Sequence, residues 1–419
     1  MKKKILFVTT RFIYPVNDGR KVVLYNYCKG LSKQLGYEVS LFAFVDEKER
    51  QEKQPDFISK IYYGEVPGKI EKVKNLLFKS IISRKWPLQV SVYYSKKSKK
   101  NLLKVIDEYK PDIVICDMAR TAEYLKDLDE NKYNKILDMD DLISKRYLRQ
   151  LDSNSVGASA IGAYSKKLPK FLNKLSSCSF IIKNVLKMEA DILSKYEMKI
   201  SKFYDHVVFV SPIETEEFNK KIKSNKSTTI TIGVDYNYFS KQLKCKKLHN
   251  YIGYLGNMYV AHNKDAVYNF IENIFPIILK EKPDAVFRII GRCPKELIDK
   301  YKDNKNIEVT GEVDDIRKYM QECEVSVAPF IYGTGIKTKI LETMAMGVPV
   351  VTNSIGKEGL NLTNGLNIIV ENDDVNMAKQ ILALLSDSSM RDKISENASE
   401  YVKVNHQWND IIEKFENIL

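Results

Sequence analysis

The chain is predicted to be α/β, with two successive doubly wound parallel-sheet domains facing a cleft. Three observations carry that expectation. Short apolar, β-rich runs alternate with helical patterns, which makes βαβ units and a parallel sheet. The alternation halts in a charged, poorly patterned stretch at roughly 212–248 and restarts at 250. At 419 residues the chain also exceeds what one ordinary hydrophobic core fills, so two domains are expected.

Taken in order, ILFVTT (5–10) is the first strand, followed by a loop with Pro15, Asp18 and Gly19. A helical stretch, RKVVLYNYCKGLSKQL, leads to the strand EVSLFAF (38–44), which completes one βαβ unit. PDIVICD (111–117), NKILDMDD (134–141) and DHVVFVS (205–211) continue the series. The second half runs through NYIGYLG (250–256), AVFRIIG (285–291), NIEVTG (306–311), VSVAPF (325–330), VPVVTN (348–353) and NIIV (367–370). The expected domains are 1–240 and 241–404, with 405–419 a short helix after a break. Ligands of such sheets bind outside the carboxyl ends of the strands.

Composition narrows the partners. Apolar content of 44% and charged content of 29% describe a globular chain, and the net charge of +13 favours anionic partners. Six scattered cysteines form no C-x-x-C pair, and four histidines do not cluster with them, so neither a disulfide framework nor a metal site is indicated. A reducing cytoplasm fits. MKKKILFVTTRFIYP has a basic start but no cleavage site, which makes it a strand rather than a signal peptide. No 18 consecutive apolar residues occur, so no transmembrane helix is expected.

Two segments concentrate the positive charge. Residues 68–104 hold eleven Lys/Arg against one acid, Glu71, and place Ile70, Val73, Leu77 and Ile81 at helical spacing. Residues 165–187 hold six lysines and no acid. Together they predict a basic amphipathic surface for an anionic membrane; a lysine-rich domain helix is the plainer alternative for either alone. Nucleic acid is disfavoured because no recognition motif accompanies the charge. A dinucleotide enzyme is disfavoured because VTTRFIYPVNDG lacks G-x-G-x-x-G.

The most informative stretch is YGTGIKTKILETMAMGVPVVTNSIGKEGL (332–360). Thr334 is expected to cap a helix in which Ile336, Ile340 and Met344 recur at i, i+4 and i+8, and Gly347 to stop it. Lys337 and Lys339 then fall in the first turn, where the helix dipole repels cations. A glycine-flanked loop entering a helix offers free N–H groups to an anion, so a diphosphate would explain both lysines. The alternative is that both point to solvent.

This segment resembles the nucleotide-sugar-binding signature of retaining GT-B glycosyltransferases, glycosyltransferase family 4 (group 1), and within it the bacterial surface-polysaccharide sugar transferases. YLGNMYVAHNKDAVYNF, FRIIGRCP, VTGEVDDIRKYM and VSVAPF follow in the family's order, and TTRFIYPVNDGRK resembles its first loop. The resemblance spans nearly the whole chain and is strongest in 250–370. It implies two Rossmann-like domains, the acceptor in the first and the donor in the second, with the last helix returning to the first domain.

The residue roles below are those the resemblance implies. Of the family's two glutamates seven residues apart, Glu342 matches the second, which holds the ribose hydroxyls, while Thr334 stands at the first. Asn257 and His262 occupy positions where relatives carry the arginine and lysine that serve the diphosphate. Lys337 and Lys339 are the expected replacements, with the backbone of Gly335 and Ile336 beside them. Gly19 opens a helix toward the phosphate or acceptor, and Arg292 is a phosphate or base contact, or else a structural loop arginine. Val313 lies where relatives read the base through backbone atoms, and Glu358 and Gly359 border the donor. Asp140 falls where relatives place a histidine by the donor sugar; a helix N-cap role for it, and for Asp138 and Asp141, is equally open. Glu342 has its own alternative, an ion pair with Lys339 at i−3.

The implied reaction moves a sugar from a nucleotide-diphosphate donor, UDP being the nucleotide expected, to a hydroxyl of a lipid-linked surface glycan. It retains the anomeric configuration and needs neither metal nor cofactor, because N–H groups, dipoles and lysines stabilise the leaving phosphate. The expected location is the inner face of the cytoplasmic membrane. Two rivals stand beside it: a GT-B-like nucleotide-sugar 2-epimerase, and a non-catalytic module for anionic membranes.

Overall fold

The structure is a computed structural model that describes residues 2–16, 19–45, 50, 54–152, 179–243 and 245–419. Two units divide the chain. The first takes the residues up to Leu151, those from 179 to Ile232, and Trp408–Leu419. The second takes Asp152 and Gly233–Gln407.

The first unit is built on seven strands: β1 (Lys4–Thr9), β2 (Glu38–Phe44), β3 (Ile61–Gly64), β4 (Ile113–Asp117), β5 (Asn134–Asp140), β6 (His206–Phe209) and β7 (Ser227–Thr229). They lie in the order β3-β2-β1-β4-β5-β6-β7 with every pair parallel. Ile5, Leu6, Phe7 and Val8 are all fully buried, the pattern of a strand covered on both faces. The second unit has six: β8 (Tyr251–Leu255), β9 (Val286–Ile290), β10 (Ile307–Gly311), β11 (Val325–Ala328), β12 (Val350–Thr352) and β13 (Ile369–Val370). Their order is β10-β9-β8-β11-β12-β13, again all parallel.

In each sheet the order reverses next to the first strand, between β1 and β4 and between β8 and β11. Such a switch point leaves a crevice beyond the strands' carboxyl ends. The loops leaving β1, β4, β8 and β11 are therefore the places to look for chemistry.

One expectation needs correction. The stretch 212–248 is patterned after all. It holds a helix, Pro212–Ile222, with Pro at its start, Glu214 in the first turn and Lys220 and Lys221 in the last, followed by β7. β7 reads Ser-Thr-Thr at a sheet edge, so it has no apolar run to betray it. The helical spacing expected from Ile70 to Ile81 is present. Lys69–Asn75 continues as a π-turn over Leu76–Ile82, and the separate helices Leu88–Tyr93 and Lys96–Tyr109 follow. Of the basic segment 165–187, residues 165–178 lie outside the described residues, and the remainder opens the helix Ser179–Ile200. No helix among the described residues is long and apolar enough to cross a membrane.

Candidate functional site

In the second unit the residues singled out above cluster at the carboxyl ends of the strands. Gly256 and Asn257 follow β8, Arg292 follows β9, Val313 follows β10, the 330–337 loop follows β11, and Glu358 and Gly359 follow β12. Parallel pairing brings these loops to one end of the sheet. The β8 and β9 loops touch closely: a Cβ on Gly291, whose φ is +121°, would lie 2.3 Å from the Gly256 carbonyl oxygen. Only glycine serves there.

The loop after β11 differs in detail from expectation. The helix runs Thr338–Ala345 with Lys337 as its N-cap, so Thr334 does not cap it and only Lys339 lies in the first turn. Gly335 takes a φ of +66°, which bends the chain so that carbonyls face back toward the Lys337 side chain. The Lys337 ammonium donates to the carbonyl oxygens of Thr334 (2.8 Å) and Gly335 (2.7 Å) and is buried. It does not point to solvent. Ile336 is buried beside it, and Ile340, Leu341 and Met344 anchor the helix in the core.

Lys339 reaches across the switch point. Its ammonium donates to Asn263 Oδ1, whose amide in turn donates to the Asn257 carbonyl at 2.9 Å. It lies 5.3 Å from the Phe330 ring centroid and 5.8 Å from that of Tyr254. A Cβ on Gly256 would sit 3.3 Å from this nitrogen, so a glycine at the end of β8 lets the lysine approach. Burial, then the neighbouring Lys337, pushes Lys339 down to about 7, while Glu342 pulls it up. Burial likewise pushes Glu342 up to about 7 against the pull of Lys339. The two make no direct ion pair, which removes the surface-pair account of Glu342. A half-buried carboxylate and ammonium, one helical turn apart, form a site able to take a proton, a hydroxyl or a phosphate.

The remaining second-unit residues divide. Asn257 accepts the Tyr259 N–H at 3.0 Å through its own side chain. His262 faces the rings of Phe330 (6.0 Å) and Tyr332 (6.5 Å). Arg292 pairs with Glu312 at 3.4 Å and approaches the Tyr259 ring, so this guanidinium already has a carboxylate. Val313 packs on the core cluster of Leu255, Ile290 and Met320. Glu358 and Gly359, with φ of +82°, form the turn after the helix Ser354–Lys357.

The first unit carries a second cluster at its own switch point. Arg20, next to Gly19 at the start of the helix Gly19–Lys33, is buried among three carboxylates. Its Nε and Nη2 donate to Asp117 Oδ1 (2.9 and 2.8 Å), Nη2 also to Asp138 Oδ2 (2.6 Å), and Nη1 to Asp140 Oδ1 (3.0 Å). Thr9 at the end of β1 donates its hydroxyl to Asp117 Oδ2 at 2.8 Å. The β5–β6 register slips between Asp138 and Asp140, and Asp140 adopts a φ of +66°. A bulge of this kind re-aims a side chain. Asp140 keeps 20% of its side chain exposed, whereas Asp117 and Asp138 are closed off. It is no helix N-cap, since its carboxylate goes to Arg20 and Leu142, just before the helix Ile143–Asp152, gives its N–H to Glu214.

Charge crowding sets the protonation here. Burial pushes Asp138 up to about 6, with Arg20 opposing it and Asp140 and Asp117 adding to it. Burial raises Asp140 too. Asp117 goes the other way: burial opposes ionisation, but Arg20, Arg11 and Arg120 hold it below the usual carboxylate range. Sequence reasoning named Asp140 and missed Arg20, Asp117 and Asn263. For Arg20 a signal existed, because it heads the stripe Val23, Leu24, Tyr27, Cys28 and Leu31 that the helix buries. A cation at the head of an apolar stripe needs buried acids.

Residues 249–387 match the family model described as glycosyl transferases group 1. An uncharacterised 44.6 kDa protein in the cps region of Klebsiella pneumoniae is 26% identical over 420 residues, covering 96% of each chain. Among solved structures, the Anabaena HepE complex with UDP and glucose superposes with a TM-score of 0.66 at 12% identity, covering 99% of this chain and 98% of that one. A TarM variant from S. aureus, in complex with fondaparinux, alpha-GlcNAc-glycerol and UDP, gives 0.65 at 14% identity, with 99% of both chains covered. The family-model match falls on the unit that carries Lys337, Lys339 and Glu342. Over residues 249–387 the second unit is similar to the glycosyl transferases group 1, and the chain as a whole takes the GT-B fold.

Proposed function

We propose that the protein transfers a sugar from a UDP-linked donor to a hydroxyl of a lipid-linked surface glycan, with retention of configuration and without a metal ion. The Lys339–Asn263–Glu342 arrangement at the β8/β11 switch point is the observation that carries this. Cleaving a sugar–diphosphate bond builds positive charge on the sugar and negative charge on the leaving phosphate. Lys339 and the N–H groups opening the helix Thr338–Ala345 supply the compensating field, and Lys337 holds the loop that presents them. Glu342 takes the ribose hydroxyls. Asn257, Glu358 and Gly359 border the donor, the backbone of Val313 faces the base, and Arg292 stands at the rim.

In the first unit Asp140 is assigned to the acceptor hydroxyl, as the exposed member of the Arg20 carboxylate cluster. Its reach to the proton must close to about 3 Å in the working complex. The complexes of HepE and TarM contain UDP, which supports that nucleotide, and the Klebsiella relative's place in a cps region supports a capsule-type glycan. The location that goes with this reaction is the inner face of the cytoplasmic membrane.

A donor panel tests the proposal. One UDP-sugar should raise the thermal midpoint far more than uridine does, and the same sugar should appear on lipid-extractable acceptor from membranes. Binding of no nucleotide sugar would overturn it. Conversion of the donor alone to its 2-epimer would replace it.

A further inference from the structure

The segment Lys69–Ile82 is turned inside out. Toward the rest of the first unit it presents Leu76 and polar groups. Ser80 Oγ lies 2.7 Å from Ser91 Oγ, and the Asn75 amide donates to the carbonyls of Ser91 (3.2 Å) and Tyr94 (2.9 Å). Outward it presents Ile70, Leu77, Phe78, Ile81 and Ile82, with Ile70, Phe78 and Ile82 exposed by 75%, 61% and 69%. Residues 70, 77 and 81 share one line along the helix, and 78 and 82 form the row beside it. A surface helix ordinarily buries its apolar stripe, and a contiguous exposed one marks a contact.

The charge around the stripe has one sign. Lys69, Lys74, Arg84 and Lys85 are exposed and pair with no carboxylate among the described residues. Lys79 lies 5.3 Å from the Trp86 ring centroid, which places an aromatic edge beside the same patch. Glu71, the lone acid of the segment, is occupied by the Lys96 N–H at 2.9 Å. A basic rim disfavours a second copy of this chain as occupant, because two such faces would bring like charges together. An apolar stripe within a basic rim complements an anionic lipid surface.

We propose that this face of Lys69–Ile82 docks on an anionic bilayer, with Phe78 and Ile82 entering the acyl boundary and the basic residues at the headgroups. The inference deepens the membrane location given above, but it rests on this face and not on sugar transfer. The full-length protein should co-sediment with phosphatidylcholine vesicles holding about one-third phosphatidylglycerol, much less with phosphatidylcholine alone, and less as salt rises. F78S/I82S should weaken binding to the anionic vesicles about tenfold or more, and K74E/K85E should do so with a flatter salt dependence. Unchanged thermal midpoints show that both variants fold. No binding by the wild type, or equal binding by F78S/I82S, overturns the proposal. So does a wild-type dimer in sedimentation velocity that F78S/I82S converts to monomer. Donor binding is measured in parallel on the same samples, so loss of vesicle binding with donor binding intact is distinguishable from failure of the transferase.

Discussion

Lys337 and Lys339 stand two residues apart and do different work. Lys337 is spent on its own loop, holding the carbonyls of Thr334 and Gly335, whereas Lys339 projects beyond the loop to Asn263. Lys337→Ala should therefore weaken UDP and uridine alike, because the loop that presents both loses its internal partner. Lys339→Ala should weaken UDP by tenfold or more and leave uridine within about twofold, since one preorganised charge on a phosphate is worth roughly 1.5–3 kcal/mol. Calorimetry with both ligands on both variants separates the roles. Equal losses for UDP and uridine in Lys339→Ala would remove the phosphate assignment. Lys339 also predicts a pH dependence. Free, it titrates near 7, and an anionic diphosphate favours its charged form, so binding takes up a proton. Affinity for a UDP-sugar, whose phosphates do not titrate in this range, should fall as pH rises through 7, and Lys339→Met should flatten the profile.

At the level of elements, the strands were the most legible feature. ILFVTT, PDIVICD, NYIGYLG and VSVAPF are continuous apolar runs because both sheet faces are covered, and each appears as a buried parallel strand. β7 escaped notice because Ser-Thr-Thr at an edge carries no such run. The cap of the helix Thr338–Ala345 was misplaced for a related reason. Thr334 has the right chemistry for an N-cap, but the left-handed Gly335 turns the chain before the helix starts. For Arg20 the partners were the illegible part, since its acids lie about a hundred residues away at the ends of β4 and β5. That cluster yields a prediction for the strand ends. Arg20→Met leaves three carboxylates facing one another and should cost about 3–5 kcal/mol in urea unfolding near neutral pH. The sign of its pH dependence follows from the carboxyls. Burial has already pushed Asp138 up to about 6, and losing Arg20 raises it further, so the folded state holds protons that the unfolded chain has released. The destabilisation should be largest above pH 7 and shrink toward pH 5. A cost that is the same at both pH values would contradict the charge-crowding account.

For the whole molecule, sequence order and structural order part company at the C-terminus. Trp408–Leu419 follows the second unit in the chain yet is built into the first. Ile412 fills the space above Gly30, where a Cβ would come within 2.4 Å of it, and Tyr27 packs edge-on against Phe415 with centroids 4.8 Å apart. The Gln34 amide donates to the Asn409 carbonyl and the Asn134 amide to the Ile418 carbonyl, each at 2.9 Å. Ile411, Ile412, Phe415 and Ile418 are all buried, and at about 1.5–3 kcal/mol per side chain their removal should cost the first unit on the order of 5 kcal/mol or more. The helix Gly19–Lys33 that loses this cover also carries Arg20 at its head, so the damage should reach the acidic cluster. A chain ending at Gln407 should then lose hydrogen-exchange protection across β1, β2 and β4, while β8, β9 and β11 keep theirs and donor binding persists. Equal loss of protection in both sheets would show that the terminal segment supports the molecule as a whole, and not the unit into which it is folded.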